Sequence, residues 1–230
     1  MNFPAVWFAP SAQWAAAFVW LAMLGMVAPR AWPALKRHSR LAGIAMLALA
    51  LCWSLRAAPL AGQMGGLVYH LLGVSLLTLM LGGSAALWLA SLVMLLYTLI
   101  WQGWSGLPAA GIAALSTLVP PVLVTTAARS FSRRLPRNVF VYIFINGFLA
   151  AAAGIFLSAV AVGTLLYAAG VFDADTLLES VLPVFFFIAW GEAFLTGLLS
   201  AIFIALAPQL LTTFADREYL QHSPPEIWKQ

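Results

Sequence analysis

The stretch "FIAWGEAFLTGLLSAIF", residues 187–203, carries a single charge, Glu192, in an otherwise apolar run. A soluble helix of that length would show a polar face at nearly every turn. This one shows only Glu192, Thr196 and Ser200, spaced by four, so they form one polar stripe on one helical face. The surrounding residues suit hydrocarbon, and the stripe belongs inside a bundle.

Composition extends that reading to the whole chain. Of 230 residues, 63% are hydrophobic and 8% charged, with 10 Trp and 15 Phe. Soluble domains carry about a quarter charged residues. A transmembrane helix needs about 20 mostly apolar residues. By that measure about seven spans are expected, at 12–28, 41–60, 65–81, 84–101, 107–127, 139–169 and 178–207. Continuous apolar runs favour helices over barrel strands, which alternate. The expected fold is all-α, a polytopic integral membrane bundle in one domain, residues 1–211, with a short polar tail at 212–230.

Basic residues set the orientation. Arg30, Lys36, Arg37 and Arg40 follow the first span, Arg129, Arg133, Arg134 and Arg137 the fifth, and Arg217 and Lys229 lie in the tail. The positive-inside rule then places the N-terminus outside and the C-terminus in the cytoplasm. The last outer loop agrees, with Asp173, Asp175 and Glu179 and no base; Arg56 alone falls near the outer face. The net charge of +4 is thus a matter of topology, and no basic stripe suggests nucleic acid. The first span lacks the basic n-region of a signal peptide and is expected to be retained. Cys52, the one cysteine, reads as packing.

Ionisable groups at membrane depth normally face protein or a cavity. His70, in "GGLVYHLLGVSLLTLMLGG" (65–83), enters its expected span from the outer side, at the depth of an outward-opening pocket. Imidazole is both a satisfied packing group and the commonest metal-ligating side chain. For Glu192 the readings are an interhelical hydrogen-bond seam or a site or gating residue. Asn146 reads as a hydrogen bond to a neighbouring helix. Gln102 and Ser105 are expected near the mouth over His70, and Trp101 and Trp104 in an aromatic belt. H-E-x-x-H, G-x-S-x-G and the phosphate loop G-x-x-x-x-G-K-[ST] are absent, so neither catalysis nor self-powered transport is expected.

Several motifs together, "YHLLG", "LIWQGWSGLPAAGIAAL", "FVYIFINGF", "GEAFLTGLL" and "APQLL", resemble the CbiM and NikM substrate-capture subunits of energy-coupling-factor transporters, across about residues 65–212. The resemblance is nearest to a divergent proteobacterial branch. It implies an inner-membrane helical bundle that takes up a divalent transition metal, cobalt or nickel, as substrate rather than as a covalent cofactor. A transmembrane coupling protein and ATPase subunits would drive it. By the same resemblance His70 matches the pocket histidine, and the N-terminus, Met1 and Asn2, enters the pocket. The family's metal-binding members begin Met-His, whereas this chain begins "MNFPAVW". The alternative is a membrane binding or assembly partner that keeps the fold without the metal site. Small-residue pairs, Ala12 with Ala16 and Gly154 with Ser158, are candidates for the docking surface.

Overall fold

The computed structural model describes residues 3–57, 66–215 and 219. Among them are seven helical segments: α1 (Pro10–Arg37), α2 (Ser39–Ser54), α3 (Val74–Leu81), α4 (Gly83–Gln102), α5 (residues 110–132), α6 (Val139–Ala168) and α7 (Ala174–Leu206). No β-sheet occurs among the described residues; a single isolated bridge joins Ala57 to Tyr69, in the non-helical stretch 67–73, here called the histidine strand.

Four helical stretches are long and apolar enough to cross a membrane, and the one from Gly83 to Ser132 is 50 residues long. It folds back on itself. A short 3-10 segment, Gly103–Ala109, turns the chain between α4 and α5. Gly83, at the start of α4, then lies against Val122 and Thr126, near the end of α5. Such contact of a first turn with a last turn requires antiparallel helices.

Close backbone approach fixes the remaining pairs. A Cβ on Gly111 would stand 2.5 Å from the backbone nitrogen of Ala17, and one on Gly154 would stand 2.8 Å from Cα of Pro121. These contacts join α1 to α5 and α5 to α6. Ala16 and Gly154, read from sequence as parts of a partner-docking surface, are therefore used inside this chain. Small residues let helices meet in lipid, where no hydrophobic effect pushes them together, and the spacing alone does not say which helix they meet. Two indole donors tie α1 to α4: Trp20 Nε1 donates to Ser91 Oγ at 3.1 Å and Trp88 Nε1 to the Leu24 carbonyl at 2.9 Å. Large apolar side chains such as Trp14, Phe18, Ile100 and Phe187 cover the outside, as a lipid-immersed surface requires.

The third expected span needs correction. Its helix is only the eight residues Val74–Leu81, and His70 is not on it. Residues 67–73 run without regular helix, and Gly66 and Gly73 hold positive φ values of +93° and +65°. Gly82, at φ +82°, makes the turn into α4. The left-handed region is available to glycine at little cost, so these residues can unwind a run whose apolar content alone reads as helix. The other expected spans overlap helices, but the first runs on to Arg37 and the fifth to Ser132, while the second ends already at Ser54; residues 58–60 of the second lie outside the described residues.

Two helix starts carry side-chain caps. At α6 the Asn138 Oδ1 accepts from Phe140 N at 2.8 Å, and at α7 the Asp173 Oδ1 accepts from Thr176 N at 2.8 Å. Hydrogen bonds from the Thr176 hydroxyl and backbone hold the Asp173 carboxyl below its usual range.

Candidate metal-capture site around His70

A backbone without helix at membrane depth must find partners for its N–H and C=O groups within the protein. The segment bearing His70 finds them on two other helices. Trp53 of α2 donates through Nε1 to the Leu72 carbonyl at 2.8 Å. Glu192 of α7 accepts the Gly73 N–H on Oε1 at 2.6 Å. The Cys52 thiol makes a long contact of 3.9 Å with the Leu71 carbonyl. Cys52 is thus packing, as expected, with a weak polar contact besides.

The imidazole is 4% exposed. Its Nδ1 lies 2.9 Å from the Leu71 carbonyl. A carbonyl only accepts, so Nδ1 donates and the ring's lone pair sits on Nε2. A backbone carbonyl on one ring nitrogen is the arrangement that fixes a metal-ligating tautomer. Aromatic rings wall the histidine: Trp53 at 4.9 Å and Tyr97 at 5.6 Å between centroids. Tyr97 leads to Trp101 at 6.2 Å, and the Arg56 guanidinium lies 3.6 Å over the Trp101 ring.

The N-terminal segment closes the same end of the bundle. Phe3 is buried at 2% exposure and packs on Phe8, with ring centroids 6.0 Å apart. Gln13 Nε2 donates to the carbonyls of Ala5 and Phe8 at 2.6 and 2.8 Å, which folds this segment back over the start of α1. Trp7 sits edge-on to Phe172 at 5.7 Å. A Cβ on Gly66 would come within 2.7 Å of the Trp7 ring, so the N-terminal segment seats directly on the start of the histidine strand. Gly66→Ala combines that collision with a positive φ. It is expected to lift the N-terminal segment, read as faster chymotrypsin cleavage after Trp7.

The other sequence candidates divide. Glu192, Thr196 and Ser200 face inward as the stripe requires, with exposures of 1%, 0% and 0%. Glu192, placed from sequence on a different span and at a different depth from His70, is joined to the histidine's own segment three residues further along. Asn146 is fully buried, but the expected bond to a neighbouring helix is absent: neither side-chain atom has a partner among the described residues. Gln102 folds over Gly106, with Oε1 buried and without a partner among the described residues, and Ser105 donates to the Gln102 carbonyl at 2.8 Å. The α4 residue that reaches His70 is Tyr97. Met1 and Asn2 lie outside the described residues.

Trp53, Tyr97 and Leu72 are the site residues that the sequence did not reveal; Gly73 reads from sequence as room for close approach to His70, and its bond to Glu192 is what that reading lacked. Aromatic residues at span ends read as an interfacial belt, and the only local sign at Gly73 is the glycine itself. Among the described residues no three His, Cys, Asp or Glu side chains come together to hold a metal ion. A full coordination shell on His70 therefore needs other donors, such as a terminal amine, backbone nitrogen or water.

The profile of a family described as the cobalt uptake substrate-specific transmembrane region, CbiM, matches residues 2–210. Two solved structures share the fold. One, described as a transition metal transporter, has a TM-score of 0.67 at 20% identity and covers 90% of this chain and 93% of its own. The other, described as a truncated transition metal transporter, has a TM-score of 0.66 at 18% identity and covers 89% of this chain and 98% of its own. No curated protein matches the chain.

Proposed function

Because the chain belongs to the CbiM family of cobalt-uptake transmembrane regions, we propose that it captures a divalent transition-metal ion, of the cobalt or nickel class, in the pocket around His70. It is a transport component and not an enzyme. The observation that carries the proposal is the held histidine: a buried imidazole on a non-helical strand, with Nδ1 committed to a backbone carbonyl and the strand pinned by Trp53 and Glu192. Such a strand costs more than a helix to satisfy in a membrane and presents a ligand in a fixed direction.

In this reading Nε2 of His70 supplies one ligand. The N-terminal amine and backbone of Met1 and Asn2 supply others, since residues 3–8 already seat over the histidine strand. Asn2 offers only an amide oxygen where the family's metal binders offer imidazole, so the shell is completed by water or by a partner. Seven segments cross the bacterial inner membrane, α3 together with the strand before it making the third crossing. The N-terminal end lies outside, and the ends carrying Arg37 and Arg129 lie inside. A transmembrane coupling protein and ATPase subunits supply the energy.

Uptake of radioactive cobalt or nickel by cells expressing the chain with its partners tests the proposal. Uptake above background that falls to background in His70→Ala is expected. Equal uptake by the variant, at equal membrane abundance, would exclude His70 as the capture ligand. No uptake of any metal by the wild type would favour a binding or assembly partner that keeps the fold alone.

A further inference from the structure

The lipid-facing seam between α6 and α7 opens into a groove toward the end that carries Arg137. A Cβ on Gly147 would stand 3.2 Å from Cα of Gly197, so the two helices touch closely there. Beside that contact lies a cavity of about 250 Å³, whose lining includes Ile143, Phe144 and Phe148 of α6 and Phe194, Gly197 and Ala201 of α7. Its cause is local: Gly197 and Ala201 supply little bulk, while Phe144 and Phe194 stand exposed on either side. Residues 142–149 are π-helical, a feature that often accompanies functional sites. Phe148 and Phe194, edge to face at 5.4 Å, stand at the far end of the groove, and Trp190 packs on both, at 6.0 and 5.1 Å.

The near end leads to the short connection between α5 and α6. Ile143 lies one helical turn, about 6 Å, beyond Val139, the first residue of α6. Arg137 precedes Val139 by two residues, and Arg133 and Arg134 belong to the same connection. All three arginines are exposed, and none forms an ion pair with another described residue. Of the described acidic residues, Glu192 is buried inside the bundle, and Asp173, Asp175 and Glu179 lie at its opposite end. An apolar groove on the lipid face thus ends within arginine reach of a cluster of positive charge.

We propose that this groove seats an acyl chain of one anionic phospholipid, whose phosphate lies against Arg137 with Arg133 and Arg134 beside it. Guanidinium forks match phosphate oxygens, and basic residues at the edge of a membrane span attract acidic lipid. Projecting phenyl rings give an acyl chain more dispersion contact than a smooth helix surface does. One turn of a helix, about 10 Å across with a 5.4 Å pitch, occupies about 400 Å³. A groove of about 250 Å³ therefore takes a lipid chain in preference to a partner helix. Lipid binding here needs no metal at His70, so it stands apart from the capture reading; that reading places this end inside, which makes the lipid one of the cytoplasmic leaflet.

Native mass spectrometry of the full chain, delipidated in detergent, tests the seat, with phosphatidylglycerol and phosphatidylcholine of identical acyl chains as the probes. Phosphatidylglycerol is expected to bind more tightly by about tenfold or more. Arg133→Gln, Arg134→Gln and Arg137→Gln together are expected to remove that preference; all three residues are exposed, so the fold is untouched. Ala201→Trp, which fills the groove with an indole, is expected to weaken the binding of both lipids. Leu92→Trp, exposed on the lipid face of α4, is expected to bind them as the wild type does. Equal affinity of the wild type for the two lipids would overturn the proposal, and so would a preference that survives the arginine substitutions. Affinities unchanged in Ala201→Trp would show a headgroup held at the surface with the groove left to another occupant, which would overturn the seat.

Discussion

Glu192→Ala is expected to weaken metal capture about ten- to a hundredfold, whereas Glu192→Gln keeps it within a few-fold. The carboxyl accepts the Gly73 N–H at 2.6 Å, and Gly73 follows His70 by three residues on a strand with no helix of its own. Truncation leaves that buried donor without a partner, a loss of about 1 to 3 kcal/mol. Each 1.4 kcal/mol is about tenfold in an equilibrium, so a loss borne by the capture-competent strand appears in the metal affinity. Glutamine keeps a carbonyl at the same reach. Competition against a metallochromic indicator measures both variants. Equal weakening by Gln and Ala would show that the carboxyl acts as an acid or a ligand and not as the strand's acceptor.

Gly111→Ala is the second large effect, and it concerns the scaffold. The added methyl would meet Ala17 N at 2.5 Å, Ala17 Cα at 2.6 Å and the Ala16 carbonyl carbon at 2.8 Å. All three are backbone atoms, so no rotamer change relieves the contact and α1 must move from α5. Overpacking of this kind costs about 1 to 3 kcal/mol. A clear fall in the unfolding temperature in detergent is expected. By contrast, Gly163→Ala, where nothing stands within 4 Å of the added methyl, should leave that temperature unchanged or slightly raised. If both substitutions behave alike, the close α1 to α5 contact is not what holds the peripheral helix.

Much of the bundle is legible in the sequence because lipid imposes a simple rule: long uncharged runs must be helices, and a polar stripe must face inward. Glu192, Thr196 and Ser200 satisfy the rule, and the structure buries all three. The same rule misreads residues 66–73. That run is apolar enough to be a helix, and its unwinding depends on partners far away in the chain, Trp53 and Glu192, which no periodicity registers. Glycines at 66, 73 and 82 were the local trace, but sequence alone does not separate a glycine that packs from one that takes a positive φ. Asn146 illustrates the converse. Its residue type suggests a bond across helices, yet whether a donor stands opposite depends on the packing of α6 and α7 at Gly147 and Gly197. Small-residue pairs likewise announce close contact without naming the helix contacted, as Ala16 and Gly154 show.

The central claim is that His70 holds the captured ion. Elemental mass spectrometry of the detergent-purified chain, offered cobalt, nickel, copper, zinc and manganese in turn, tests it most directly beside His70→Ala. Near-stoichiometric retention of one of these metals by the wild type, absent from the variant at equal folding, is the predicted result. Retention of the same metal by His70→Ala would contradict the claim.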